Sequence, residues 1–199
     1  MVKKVNIADT IIAEQRGDST QGLPNDMPRW MRRIILAVDG FSWWVGHIVC
    51  FMILPLIAAM VIEIFMRYFF LQPTVWAFDL SRMLYGAMFM LGAGYALLKG
   101  VHIRADFLYR LWPVRVQASV DLGLYLVLYF PSMIVFLWYA FSFAERAIIR
   151  AERGMDTAWM PYLGPIKAAL AVGVALLLIQ GISEVLKCWY AIRKNRWPA

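Results

Sequence analysis

Between Leu97 and Pro113 an otherwise apolar chain gathers Lys99, His102, Arg104, Asp106 and Arg110. Side chains of these types could serve as acids, bases or metal ligands, or could form a polar elbow between two helices. Catalysis would need a nucleophile, an acid and a base brought together. The sequence holds no P-loop, no GxSxG, no HExxH and no glycine-rich dinucleotide turn. Ser132 and Ser142 lie in an apolar run without a His or Asp partner, so back-bonding to their own helix is expected of them. Cys50 and Cys188 are far apart, each in an apolar run and without CxxC spacing, and read as buried free thiols. His47 and His102 allow a sharper reading. Two histidines on separate helices near one membrane face could ligate a b-type haem. Charges flank His102, which argues against an apolar haem slot. The expectation is therefore no enzyme, no metal and no cofactor. A haem-bearing membrane anchor of an electron-transfer complex stands as the alternative.

The elements that carry these residues are read from apolar runs. The chain is 62% hydrophobic, whereas soluble domains sit nearer half, so a membrane class comes first. The net charge of +7 is concentrated at the ends of apolar runs. That distribution suits anionic lipid headgroups and argues against nucleic acid as a partner. The runs predict an all-α membrane protein with four transmembrane helices, over residues 40–66, 78–99, 117–146 and 166–190. Alternating strands are absent from the pattern. Pro55 and Pro131 predict kinks, and Pro165 suits a first helical turn. Residues 30–38 place Met31, Ile34, Ile35 and Val38 on one face and read as an interfacial helix before the first span. "SFAERAIIRAERG" continues helical spacing past the third span, so that helix is expected to protrude from the outer surface or to tilt strongly. Residues 1–28 are polar, and Asp9, Glu14 and Arg16 interrupt any signal-peptide core. They read as a flexible cytoplasmic tail ahead of a transmembrane domain over residues 29–199.

Lys and Arg set the expected orientation. Lys3, Lys4, Arg16, Arg29, Arg32 and Arg33 precede the first span. Lys99, Arg104, Arg110 and Arg115 follow the second, and Lys187, Arg193, Lys194 and Arg196 end the chain. This places both termini and the Lys99–Arg110 stretch in the cytoplasm. No ionisable residue falls near mid-membrane, where pumps and carriers keep theirs. Glu63 and Arg67, four apart, and Asp79 and Arg82, three apart, sit at the opposite end. They either dock a partner or are satisfied locally as snorkelling charges. Gly92, Ala96 and Gly100 recur every four residues, as do Ala169 and Gly173, and Ala171 and Ala175. Such spacing lets helices approach closely in lipid.

"RYFFLQPTVWAFDLSRMLYGAMFMLGAGYALLKGVHIRADFLY" resembles the small membrane subunit of tripartite ATP-independent periplasmic (TRAP) transporters. The resemblance is carried by Arg67 and Tyr68, then Trp76, Asp79 and Arg82, then Leu91, Gly92 and Ala93, and finally Gly100, His102, Ile103 and Asp106. It covers the first two spans and the stretch after them well, and the last two in outline. Two positions depart from the family: Phe78 stands where a second acidic residue is common, and Leu71 where Asn is common. The resemblance implies a scaffold subunit in the bacterial inner membrane. Its partners would be a large elevator-type permease subunit, a periplasmic solute-binding protein and membrane lipids. The process would be sodium-driven uptake of carboxylates or related organic acids. It implies partner contacts at Arg67, Trp76, Asp79, Arg82, Gly92, Ala96, His102, Arg104 and Asp106.

Overall fold

The computed structural model describes residues 26–100 and 112–197, all of whose regular elements are helical. The expected tail up to residue 25, and the stretch holding His102, Arg104, Asp106 and Arg110, lie outside the described residues. The chain runs through α1 (Arg29–Phe51), α2 (Ile53–Phe69), α3 (Ala77–Leu98), α4 (Val114–Leu124), a π-helical stretch (Tyr125–Tyr129), α5 (Phe130–Ile149) and α6 (Gly164–Lys194). Three helical units are long and apolar enough to cross a membrane: Arg29–Phe69, Val114–Ile149 and Gly164–Lys194. The helix expected as the second span forms as α3, but its 22 residues include Asp79, Arg82 and three glycines and fall outside that class.

Pro55 acts one turn before itself. It has no N–H to offer the carbonyl of Phe51. The helix is interrupted at Met52, whose N–H instead reaches back three residues to Val49 O at 3.0 Å. Pro131 likewise has no N–H for Val127. There the ladder shifts to i→i+5 pairing, with Phe130 N–H donating to Tyr125 O. Ser132 Oγ donates to Leu128 O at 2.6 Å and Tyr129 O at 3.0 Å, the expected back-bonding.

Three expectations are corrected. The interfacial helix is not separate: α1 runs unbroken from Arg29 through Gly40 into the apolar run. Met31 and Ile35 are buried against Met27 and Tyr190, while Ile34 on the expected face stays exposed. The third expected helix does not continue through residue 153. It ends at Ile149, Ala151 turns the chain at φ 46°, and Arg153 pairs with Tyr162 in a short antiparallel bridge. Leu163 N–H to Glu152 O, 2.9 Å, closes that loop. Cys50 is exposed rather than buried, because α1 turns it outward, whereas Cys188 is buried.

Helix α6 lies at the centre and packs against α1, α3, α4 and α5. Small residues set how close it comes. An added Cβ at Gly173 would stand 2.5 Å from the Met90 carbonyl oxygen of α3. Ala171 packs against Ala140 and Ala144 of α5. Tyr129 fills the space over Gly181 and donates its hydroxyl to Leu177 O at 2.7 Å. Gly100 has a different role from the one its spacing suggested. With φ 64° it ends α3, its N–H donating to Leu97 O.

Candidate functional site

The ion pairs of the described residues gather in two groups, one where α1 meets α6 and one around the α2–α3 turn and the α5–α6 loop. At one end lie the start of α1 and the end of α6, joined by the Met27, Met31, Ile35 and Tyr190 cluster and by the Asp26–Arg196 ion pair at 2.7 Å. At the other end lie the α2–α3 turn and the α5–α6 loop.

The loop end is organised around two carboxylates. Glu63 accepts from Arg67 Nε at 3.0 Å and from the Thr74 N–H at 2.8 Å, and the Thr74 hydroxyl also donates to it. This fastens the turn after α2 back onto the helix. Asp79 is the third residue of α3, where the positive end of the helix dipole favours a carboxylate. It is 0% exposed and accepts the hydroxyl of Thr157 from the α5–α6 loop. Arg82 lies 3.4 Å from Asp79 and 2.5 Å from Asp156. Sequence spacing paired Arg82 with Asp79 alone. The closer partner is 74 residues away, beyond the reach of helix periodicity. At both positions the acid is shielded and the guanidinium faces out: the Arg67 and Arg82 side chains are 58% and 49% exposed, Glu63 and Asp79 12% and 1%. Trp76 is half-buried and precedes α3, its carbonyl receiving the Leu80 N–H.

The departures from the resembled family gain a physical reading here. Asp79 is the inward member of the Phe78–Asp79 pair. Phe78 is exposed and lies under the Arg82 guanidinium at 5.8 Å. Losing an acid at that position changes the outer surface and not the internal tie. Leu71 has φ 53°, a left-handed conformation that Asn adopts at little cost and Leu at more.

Glu152 and Lys167 pair across the base of the α5–α6 loop, with the Lys167 ammonium 3.9 Å above the Phe143 ring. The hydrogen bond from Lys167 holds the Glu152 carboxyl below its ordinary range, against a smaller opposing effect of burial. The charges of Lys167, Arg150 and Arg146 add to the lowering.

The opposite end holds a network that the sequence pairs did not include. Asp39 on α1 accepts from Gln180 Nε2 at 3.0 Å and Ser183 Oγ at 2.7 Å, and pairs with Lys187 at 2.9 Å. Ser42 Oγ donates to Gln180 Oε1 at 2.7 Å, and Lys187 also reaches Glu184 at 2.9 Å. Gln180 and Ser183 are 0% exposed. Only the i,i+3 pair Glu184–Lys187 had a local signal. Asp39 meets α6 through the tertiary fold, so its one available clue was an acid beside an apolar run.

The remaining expected site residues are placed as follows. Gly92 and Ala96 are half-buried on α3, and a Cβ at Gly92 would meet Val49 of α1 at 3.8 Å. The closest glycine approaches to other helices are made by Gly46, against Tyr95, and Gly173. His102, Arg104 and Asp106 lie outside the described residues. His47 is exposed, its Nδ1 2.8 Å from the Trp43 carbonyl oxygen and its ring 3.8 Å from that of Trp43. That geometry gives the haem alternative no support. Among the described residues no group of three or more His, Cys, Asp and Glu side chains could hold a metal ion.

What the arrangement offers is a set of helices tied to one another by two polar groups, with two outward guanidiniums at the loop end. No curated protein matches the chain. Residues 56–190, more than half of its length, match the family described as tripartite ATP-independent periplasmic transporters, DctQ component. This span takes in the Glu63 and Asp79 clusters, the α5–α6 loop and nearly all of α6, and the chain belongs to that family as a TRAP transporter small permease component.

Proposed function

We infer that the chain is the small scaffold subunit of a sodium-driven TRAP uptake system for carboxylates or related organic acids. It braces a large elevator-type permease subunit, which receives its substrate from a periplasmic solute-binding protein. The family membership supports the transporter role, and the resemblance supplies sodium coupling and substrate class. In this reading α3 is the fourth span, residues 29–199 form one transmembrane domain in the bacterial inner membrane, and both termini are cytoplasmic. Residues 1–28 are then a cytoplasmic tail.

One observation carries the scaffold role. The charged pairs of the described residues are made within this chain, in one group between α1 and α6 and another around the α2–α3 turn and the α5–α6 loop. A carrier needs ionisable or polar coordination near the membrane centre. A brace needs its own helices fixed and its outward surface free. Arg67 and Arg82, with Trp76 between them, form the edge proposed to meet the large subunit. Gly92 and Ala96 on α3, and His102, Arg104 and Asp106 after it, extend that contact.

Arg82 is the position to test. Asp79 is buried, so reversing its charge tests folding before it tests docking. The Arg82→Glu variant, co-expressed with the large subunit and the binding protein, should lower sodium-dependent uptake several-fold. Expression should be unchanged, and the large subunit should co-purify less well. Full uptake and full co-purification for Arg82→Glu and Arg67→Glu together would remove the docking edge. A chain that purifies alone and transports in liposomes would remove the scaffold reading altogether.

A further inference from the structure

At the end that carries both described chain ends, a cavity of about 370 Å³ opens between the start of α1 and the end of α6. Trp30 and Trp189 stand at its sides, and Arg193, Lys194 and Asp26 at its rim. Its lining includes Tyr190, which is 4% exposed and whose hydroxyl has no hydrogen-bond partner among the described residues. The Arg196 guanidinium lies beside that hydroxyl, which helps hold it charged, but the contact lacks the geometry of a hydrogen bond. Arg196 is already paired with Asp26, and the one acid at the rim is thereby neutralised.

A buried hydroxyl without a partner is costly, and native structures normally satisfy it. The cavity is large enough for a small polar group, and two of its lining cations, Arg193 and Lys194, form no ion pair among the described residues. Arg193 lies over the Trp189 ring at 4.9 Å, which keeps its guanidinium beside the opening. Tryptophans flanking a cationic site at the ends of membrane-spanning helices mark the headgroup level. Anionic headgroups are drawn to such basic clusters.

We propose that the Trp30–Trp189–Tyr190 cavity binds the phosphate headgroup of an anionic phospholipid, with Tyr190 donating to a phosphate oxygen and Arg193 and Lys194 supplying the charge. The acyl chains would leave between α1 and α6 along their exposed apolar flanks, where Ile34 and Ile182 lie uncovered. The lipid would then join the first and last helices at the end where Asp39 and Lys187 also join them.

The test is lipid retention by the purified full chain, read by native mass spectrometry after incubation with equal amounts of dioleoyl phosphatidylglycerol and dioleoyl phosphatidylcholine. The expected result is preferential retention of phosphatidylglycerol by roughly tenfold, given two cations at the headgroup. Tyr190→Phe removes the hydroxyl alone and should cut phosphatidylglycerol retention about fivefold, the loss of one charge-assisted hydrogen bond. It should leave the thermal midpoint unchanged. The double variant Arg193→Gln, Lys194→Gln should abolish the preference. Equal retention of the two lipids by the wild-type chain overturns the proposal, whatever fills the cavity instead. So does full retention by Tyr190→Phe. Displacement of phosphatidylglycerol by millimolar inorganic phosphate would make this a site for free anions and overturn the lipid assignment.

Discussion

Two single-methyl substitutions should have opposite effects, because only one of the two glycines touches another helix. At Gly173 of α6 an alanine Cβ would lie 2.5 Å from the Met90 carbonyl oxygen and 2.7 Å from its carbon. That is about 1 Å short of ordinary contact, and the obstructing atoms are backbone, which cannot rotate aside. Helices α3 and α6 would have to part along the seam where a Cβ on Gly94 would meet Leu176 at 3.5 Å. Overpacking costs about 1–3 kcal/mol, and a clash with fixed backbone belongs in the upper part of that range, about 2–3 kcal/mol; alanine's better helix propensity returns about 1 kcal/mol. The net expectation for Gly173→Ala is a loss of roughly 1–2 kcal/mol, and a larger loss for Gly173→Val. In lipid, close packing is itself a main source of helix association, so the seam has little else to fall back on. At Gly40 of α1 an added Cβ has no neighbour within 4 Å. There only the propensity gain remains, and Gly40→Ala should stabilise by up to about 1 kcal/mol. Equilibrium unfolding in mixed dodecyl sulfate micelles, followed by near-ultraviolet circular dichroism, measures both. A Gly173→Ala chain as stable as wild type, or shifts of the same sign for both variants, would refute the account of α6 as a helix held by close backbone approach.

Three further outcomes follow from the same contacts. Asp39→Leu or Lys187→Met alone should cost about 3 kcal/mol or more, because each leaves a charge behind at a largely buried site. The double variant should lose at least about 1 kcal/mol less than the two singles summed, as a double-mutant cycle would show. Leu71→Asn should stabilise by about 1 kcal/mol in the same unfolding assay, because it relieves a left-handed conformation at an exposed position. Glu152 has its folded-state carboxyl held below the ordinary value of 4.5. Its contribution is therefore complete above that value and lost as pH falls through the lower, folded one. The thermal midpoint of wild type should exceed that of Glu152→Gln by a constant margin from pH 7 to about 5. The margin should close below 4.5, and a margin that persists at pH 3 would remove the Lys167 pairing as its cause.

The apolar runs and the prolines were sufficient to locate the helices, because length and composition decide what crosses a bilayer. They could not show that α1 runs unbroken through Gly40, since a glycine without neighbours neither bends nor stops a helix whose backbone bonds are intact. The end of α5 was hidden for the opposite reason. Residues 150–153 keep helical spacing, and the reversal at Ala151 comes from the loop closing onto Pro161 and Leu163. At the site, spacing found Glu63–Arg67 and Asp79–Arg82 because three and four residues are one helical turn. It missed Thr74, Asp156, Thr157 and the whole Asp39 network, whose partners come from other elements. Leu71 and Phe78 show the converse. As departures from a family pattern they carried no physical content until one proved to need a positive φ and the other to face outward.

The ties fall at three levels along the helices. Asp39, Ser42, Gln180, Ser183 and Lys187 join α1 to α6 near the chain ends, and Asp79 and Thr157 join α3 to the α5–α6 loop at the opposite end. Between them the links are Gly173 against Met90 and the Tyr129 hydroxyl on Leu177 O, neither of which needs a charge in the membrane interior. Helix α2 stands outside this scheme. It buries only Ala59 and is held through α3 and the Glu63 cluster. In lipid an exposed apolar face carries no penalty, so the bare surface of α2 does not by itself mark an interface. Charge does mark one, because a guanidinium at that depth gains from a partner more than a methyl group does. Arg67 at the end of α2 and Arg82 at the start of the neighbouring α3 both keep an exposed head although each already has an acid. The edge shared by these two helices is therefore where the proposed brace would engage a moving partner, and a partner approaching there would meet the helix with fewest ties and the two cations together.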